Sequence, residues 1–233
     1  MEKVATRTGT QIRVNDFVRS VYNWMGIGLA LTGFIALYVS TSEAMVGLIL
    51  GNRLIFFGLI IAELALVFSI SGMVHKMSAG TATGLFVLYA ALNGLTLSFI
   101  FLAYTQASIV RTFFVCSGTF LVCSLYGWKT GRDLTSWGGF LIMGLIGIIV
   151  ASLVNLFIRS GAMTMIISYI GVLVFVGLTA YDTQKLKHMA LSQPAGLDGS
   201  TIRKGAILGA LSLYLDFINL FLLLLRILGQ GRD

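Results

Sequence analysis

Four ionisable side chains stand in stretches of this chain that otherwise read as hydrocarbon: Glu63, Asp182, Asp216 and Arg226. A charge held at bilayer depth is costly unless it is paired, wetted or neutralised by a proton, so each of the four marks a candidate site. Asp182 and Asp216 lie on consecutive apolar segments. If two carboxylates meet in a poorly solvated place they cannot both ionise, and they are expected to share one proton and titrate as a pair. When ionised, the same two groups offer hard oxygens for a transient contact with Ca²⁺, and waters or carbonyls must supply the rest of the roughly six to eight ligands that ion takes. Counted along ideal helices from the inner surface, Asp182 falls about 8 Å deep and Asp216 about 16 Å. Tilt or a later start to the last helix is needed to bring them level. Two unrelated buried acids, each hydrogen-bonded to its own neighbours, are the alternative.

The segment carrying Asp216 and Arg226, "ALSLYLDFINLFLLLLRILG" from Ala210 to Gly229, has a one-sided pattern. At about 100° per residue, Ser212, Asp216, Asn219 and Arg226 fall within an arc of about 80°. Such a polar stripe cannot face lipid, so the last helix is expected to be central, turned toward other helices or a water-filled path. Glu63 lies about 15 Å inward from Arg53, and Arg226 is near the same outer surface. These two are expected partners if their helices touch, either as a structural ion pair or as a gate. His75 and Lys76, at the inner end of the second apolar segment, are interfacial residues and the candidate basic partners for the acids.

The elements that must position these groups follow from composition. The chain has 233 residues, is 57% hydrophobic and 11% charged, and has a mean hydropathy of +0.93. A soluble domain is about 25% charged, so this is an all-α integral membrane protein. Seven runs supply the roughly 20 apolar residues that cross a bilayer as helix, with approximate spans 21–39, 54–74, 83–104, 109–127, 137–158, 163–183 and 205–228. They are expected to form one bundle over 21–229, between a basic cytosolic tail at 1–20 and a short tail at 230–233. The continuously apolar runs exclude a membrane β-barrel, whose strands alternate in segments of about ten residues.

The net charge of +7 follows the membrane rather than a nucleic acid, because the basic residues form no stacking platform. Lys3, Arg7, Arg13, Arg19, Lys76, Lys129, Arg132, Lys185, Lys187, Arg203 and Lys204 collect on one side, and Arg53, Arg111, Arg159, Arg226 and Arg232 on the other. The positive-inside rule then puts the N-terminus in the cytoplasm and the C-terminus outside. The first uncharged run, Ser20–Ser42, is too long for a signal-peptide core and reads as an uncleaved span. Trp24, Trp128 and Trp137 fall at expected membrane boundaries, as anchors. Cys116 and Cys123 are too far apart on one helix to bridge each other, and read as buried small hydrophobes. The sole proline, Pro194, lies in "MALSQPAGLDGSTIRK" (Met189–Lys204), expected to be a cytosolic hinge. The 27 glycines serve chiefly close helix packing. No catalytic set and no cofactor site are evident.

Four stretches carry a resemblance. "GLTAYDTQKLKH" (Gly177–His188) and "GALSLYLDFINLFLLLLRILG" (Gly209–Gly229), with "SLYGWKTGRDLTSWGGFLIMGLIGIIVASLVN" (Ser124–Asn155) and "LIIAELALVFSISGMVHKMSAG" (Leu59–Gly80), resemble the transmembrane Bax inhibitor motif family, most nearly its bacterial inner-membrane branch. The resemblance covers essentially the whole chain. It implies a seven-helix fold with the last helix central and a pH-sensitive leak of Ca²⁺ through the plasma membrane. Asp182 and Asp216 match the family's paired aspartates, which close the path while they share a proton; Glu63 and Arg226 match polar positions of the second and last helices. Some members carry an arginine latch at the inner end of the second helix, where this chain has Val74 followed by His75 and Lys76.

Three rival readings are weighed against the leak. An interaction protein would act by binding other membrane proteins, such as a membrane-bound quality-control protease. A proton-coupled carrier is weakened by the lack of an evident internal repeat. An intramembrane aspartyl protease also uses two aspartates, the first in a Tyr-Asp pair like Tyr181–Asp182. Its second lies in a Gly-x-Gly-Asp setting, whereas Leu213, Tyr214 and Leu215 precede Asp216 here, and no later helix follows.

Overall fold

The computed structural model describes residues 2–192, 194 and 197–232, with side chains from Val14 onward. Among the described residues the chain is helical, with one isolated β-bridge. The helices are α1 (Glu2–Ser40), α2 (Glu43–Ile49), α3 (Arg53–Met73), α4 (Ala79–Leu97), α5 (Phe99–Ala103), α6 (Gln106–Lys129), α7 (Thr135–Ile158), α8 (Gly161–Leu191) and α9 (Gly199–Leu228). A single 3₁₀ turn, Val74–Lys76, follows α3. Seven segments are long and apolar enough to cross a membrane: 14–40, 53–76, 79–103, 106–129, 135–158, 161–191 and 199–228. Their number agrees with the hydropathy reading; their ends do not.

The differences at the ends have local causes. The expected N-terminal tail is largely helix, because α1 begins at Glu2 and Val14, Phe17, Val21 and Met25 recur on one buried face that carries the helix past the apolar run. The expected hinge shrinks because α8 runs on to Leu191, with Gln184, Leu186 and Ala190 buried, and α9 starts at Gly199. Gln193, Ala195 and Gly196 of that hinge lie outside the described residues. Asp198 begins α9, accepting the Thr201 backbone N–H at 3.3 Å and also its hydroxyl. The third span breaks at Ser98, whose hydroxyl donates to the Leu95 carbonyl at 2.7 Å. The short α2 is started by Ser42, which caps the Met45 N–H.

The chain divides into two compact units, residues 1–103 with 189–214, and 104–188 with 215–233. The boundary falls inside α8 and again inside α9. In unit one α4 packs closely on α1: a Cβ added at Gly94 would stand 2.8 Å from both Ile35 and the Thr32 carbonyl oxygen. In unit two α6 lies so close to α8 that a Cβ at Gly127 would strike the Ala180 carbonyl. Phe217 of α9 sits edge-on to Phe113 and Phe120 of α6, with ring centres 5.7 and 5.4 Å away. The C-terminal residues are tied back in the same unit: Tyr104 bridges Gly231, Thr105 N–H donates to the Gln230 carbonyl at 3.1 Å, and Gln230 N–H donates to Ser108 Oγ at 2.9 Å. Of the spans, α9 is the most deeply buried and α3 and α7 the least.

Candidate functional site

Asp182, on α8, and Asp216, on α9, belong to the same unit. Asp216 is 5% exposed and Asp182 half-buried. The helices that present them are packed by small residues: besides Gly127 against Ala180, Gly138 of α7 meets the Tyr181 ring and Gly171 of α8 meets Leu223. Two buried side-chain atoms have no hydrogen-bond partner among the described residues, Asp216 Oδ2 and Ser124 Oγ, both in this unit. A desolvated carboxylate oxygen without a donor is a place for a proton or a cation. Lys185 follows Asp182 by three residues along α8.

His75 and Lys76 are exposed on the 3₁₀ turn, where the His75 carbonyl takes a hydrogen bond from Lys204 at 3.5 Å. The α6–α7 connection of unit two is held by α8. Gln184 accepts from the Leu134 N–H and donates to the Arg132 carbonyl, both at 2.8 Å. Lys187 donates to the Trp128 carbonyl at 2.7 Å and stands 5.6 Å from the centre of its ring.

Glu63 is engaged within unit one by α4. Thr96 donates to Oε1 at 2.8 Å and Asn93 to Oε2 at 3.4 Å. The chain continues inward, where the Tyr214 and Thr32 hydroxyls lie 2.7 Å apart and share two protons among three contacts: each other, Asn93 Oδ1 at 3.2 Å from Tyr214, and the Ala90 carbonyl at 2.7 Å from Thr32. Asn93 and Thr96 are one turn apart on the helix beside Glu63 and reach its carboxylate directly, while Arg226, the partner expected for it, belongs to the other unit. Sequence reasoning missed Thr32, Asn93, Thr96 and Tyr214, since none is charged; the signal available was polar groups three apart in an apolar run.

The polar stripe of the last helix is divided among several surroundings. Ser212 is half-buried in unit one, Asp216 is buried in unit two, and Asn219 and Arg226 open into a cleft of that unit. Among the described residues no group of three His, Cys, Asp or Glu side chains is disposed to hold a metal ion.

Comparison with known proteins adds sequence relationships to this geometry. The family described as inhibitor of apoptosis-promoting Bax1 matches residues 14–233. The inner membrane protein YbhL of Escherichia coli strain K12 is 55% identical over 229 residues, covering 98% of this chain and 96% of that protein. An uncharacterized protein of Borreliella burgdorferi is 48% identical over 219 residues, 94% of each chain. One of Deinococcus radiodurans is 44% identical over 234 residues, covering 100% of this chain and 98% of its own length.

Proposed function

The chain belongs to the Bax inhibitor family, and on that premise we propose that it is a pH-sensitive Ca²⁺ leak of the bacterial inner membrane, gated by Asp182 and Asp216. The observation that carries this reading is the buried Asp216 Oδ2 with no donor among the described residues, in the same unit as Asp182. One proton between the two acids supplies that missing partner and joins α8 to α9. Losing it leaves two like charges in a poorly solvated place, and their repulsion drives the helices apart. Ca²⁺ is the substrate of this path and not a resident ion. With only two carboxylates at the site it keeps most of its water while passing. The last helix is the central moving part, the N-terminus is cytoplasmic and the C-terminus outside.

The test is Ca²⁺ flux into liposomes holding the purified full chain, measured between about pH 5 and pH 8 beside Asp182→Asn and Asp216→Asn. Flux that varies with pH in the parent and loses that variation in both variants is the expected result. Flux equal to empty vesicles overturns transport and favours a regulator that binds other membrane proteins. An unchanged pH response in both variants keeps the leak and discards the aspartates as its sensor.

A further inference from the structure

Unit two contains a cleft of about 830 Å³ at the end of the molecule where α7 turns into α8 and where α9 finishes. Two guanidinium groups line it, Arg159 from the turn and Arg226 from α9, and no carboxylate does. Both arginines are exposed. Arg159 is the one non-glycine residue with positive φ among those described, at 55°. It ends α7 in the left-handed conformation that glycine adopts most easily, so the turn itself does not call for an arginine. The turn's other polar groups are already satisfied: Asn155 accepts from the Ser160 N–H at 3.0 Å and donates to Thr164 Oγ1 at 2.7 Å. What the turn presents to the cleft is positive charge, joined by the N-terminal end of α8 at Gly161. The remaining walls are mainly aliphatic and carry the uncharged polar groups Ser152, Asn155, Thr164 and Asn219. Leu153 and Leu156 of α7 line the cleft and are 54% and 67% exposed, continuing it onto the flank that faces lipid.

We infer that this cleft binds the phosphate of a membrane phospholipid between Arg159 and Arg226, with the acyl chains lying along Leu153 and Leu156 of α7. Two forked guanidinium donors match a phosphate diester, and the volume lies within the range of ordinary ligand pockets. A free phosphate ion would use the cations and leave the hydrocarbon wall idle; a lipid uses both. The charge complementarity and the continuity with the lipid-facing flank therefore select the lipid.

Native mass spectrometry of the detergent-solubilised full chain, titrated with phosphatidylglycerol, tests this. Separate arms use diacylglycerol of the same chains and inorganic phosphate. Phosphatidylglycerol is expected to bind, diacylglycerol to bind much more weakly, and the double variant Arg159→Gln with Arg226→Gln to lose about tenfold in affinity. Changing both to Lys keeps the charge and loses the fork, so affinity should fall between that of the parent and that of the double Gln variant. Arg159→Gly separates binding from folding, since it relaxes the turn and removes the cation: its melting temperature should not fall while its lipid affinity does. Equal affinity in the double Gln variant, or diacylglycerol binding as tightly as phosphatidylglycerol, overturns the inference. Displacement of the lipid by millimolar phosphate would make this a site for soluble anions and overturn it as well.

Discussion

Tyr214 shows how much one uncharged group holds together. Its hydroxyl reaches Thr32 and Asn93, and its ring lies edge-on to Phe86 and Tyr89. Tyr214→Phe keeps the ring contacts but takes the donor from Asn93 Oδ1, and should lower stability by about 1–3 kcal/mol, read as a fall in melting temperature in detergent. Ser124 gives the opposite case. Its buried hydroxyl already lacks a partner, so Ser124→Ala should leave the melting temperature unchanged or raise it; a clear fall would mean that the hydroxyl has a partner in solution. At this scale the sequence exposes charges and conceals their company. Asp216 stands out because a carboxylate among leucines needs a proton, a partner or water, whereas Asn93 and Thr96 look like tolerated polar residues until α4 is set beside α3. The expected Glu63–Arg226 pairing rested on charge, the only criterion for choosing partners that the sequence shows.

Helix existence was legible from hydropathy and helix length was not, because the ends are fixed by interactions that a hydropathy window averages away. The last turns of α8 are polar enough to read as loop, yet Gln184 is buried and fastened to the α6–α7 connection. The beginning of α9 depends on Asp198, whose carboxyl is held below its ordinary range mainly by the Thr201 side chain. A carboxyl with a depressed folded value contributes stability above its unfolded value and loses it as pH falls through the folded one. Hydrogen exchange at residues 199–204 should therefore quicken as the medium becomes more acidic than the normal carboxylate range, and Asp198→Ala should abolish that dependence. Close packing supplies a second prediction. Gly127→Ala places a methyl group against the Ala180 carbonyl, part of the backbone, and should cost about 1–3 kcal/mol. A melting temperature equal to the parent's would show that α6 and α8 can separate there without penalty.

For the whole chain, the many exposed large hydrophobics, such as Leu54, Phe68 and Phe157, make sense only with lipid as the solvent on those faces. Composition alone announced this. The division into two units that split α8 and α9 was not legible, since nothing in an apolar run marks where its packing partners change. The topology proposed from charge asymmetry is open to direct measurement: in a background free of Cys116 and Cys123, Ser192→Cys should react with a membrane-impermeant thiol reagent only from the cytoplasmic side and Ser160→Cys only from outside. Labelling of both from one side would contradict the assignment. The final residues bear on any such work. Because Gln230 and Gly231 are stitched to Tyr104, Thr105 and Ser108, an affinity tag or fluorescent reporter fused without a spacer would tug on that seam, so handles for purification and imaging belong behind a flexible linker.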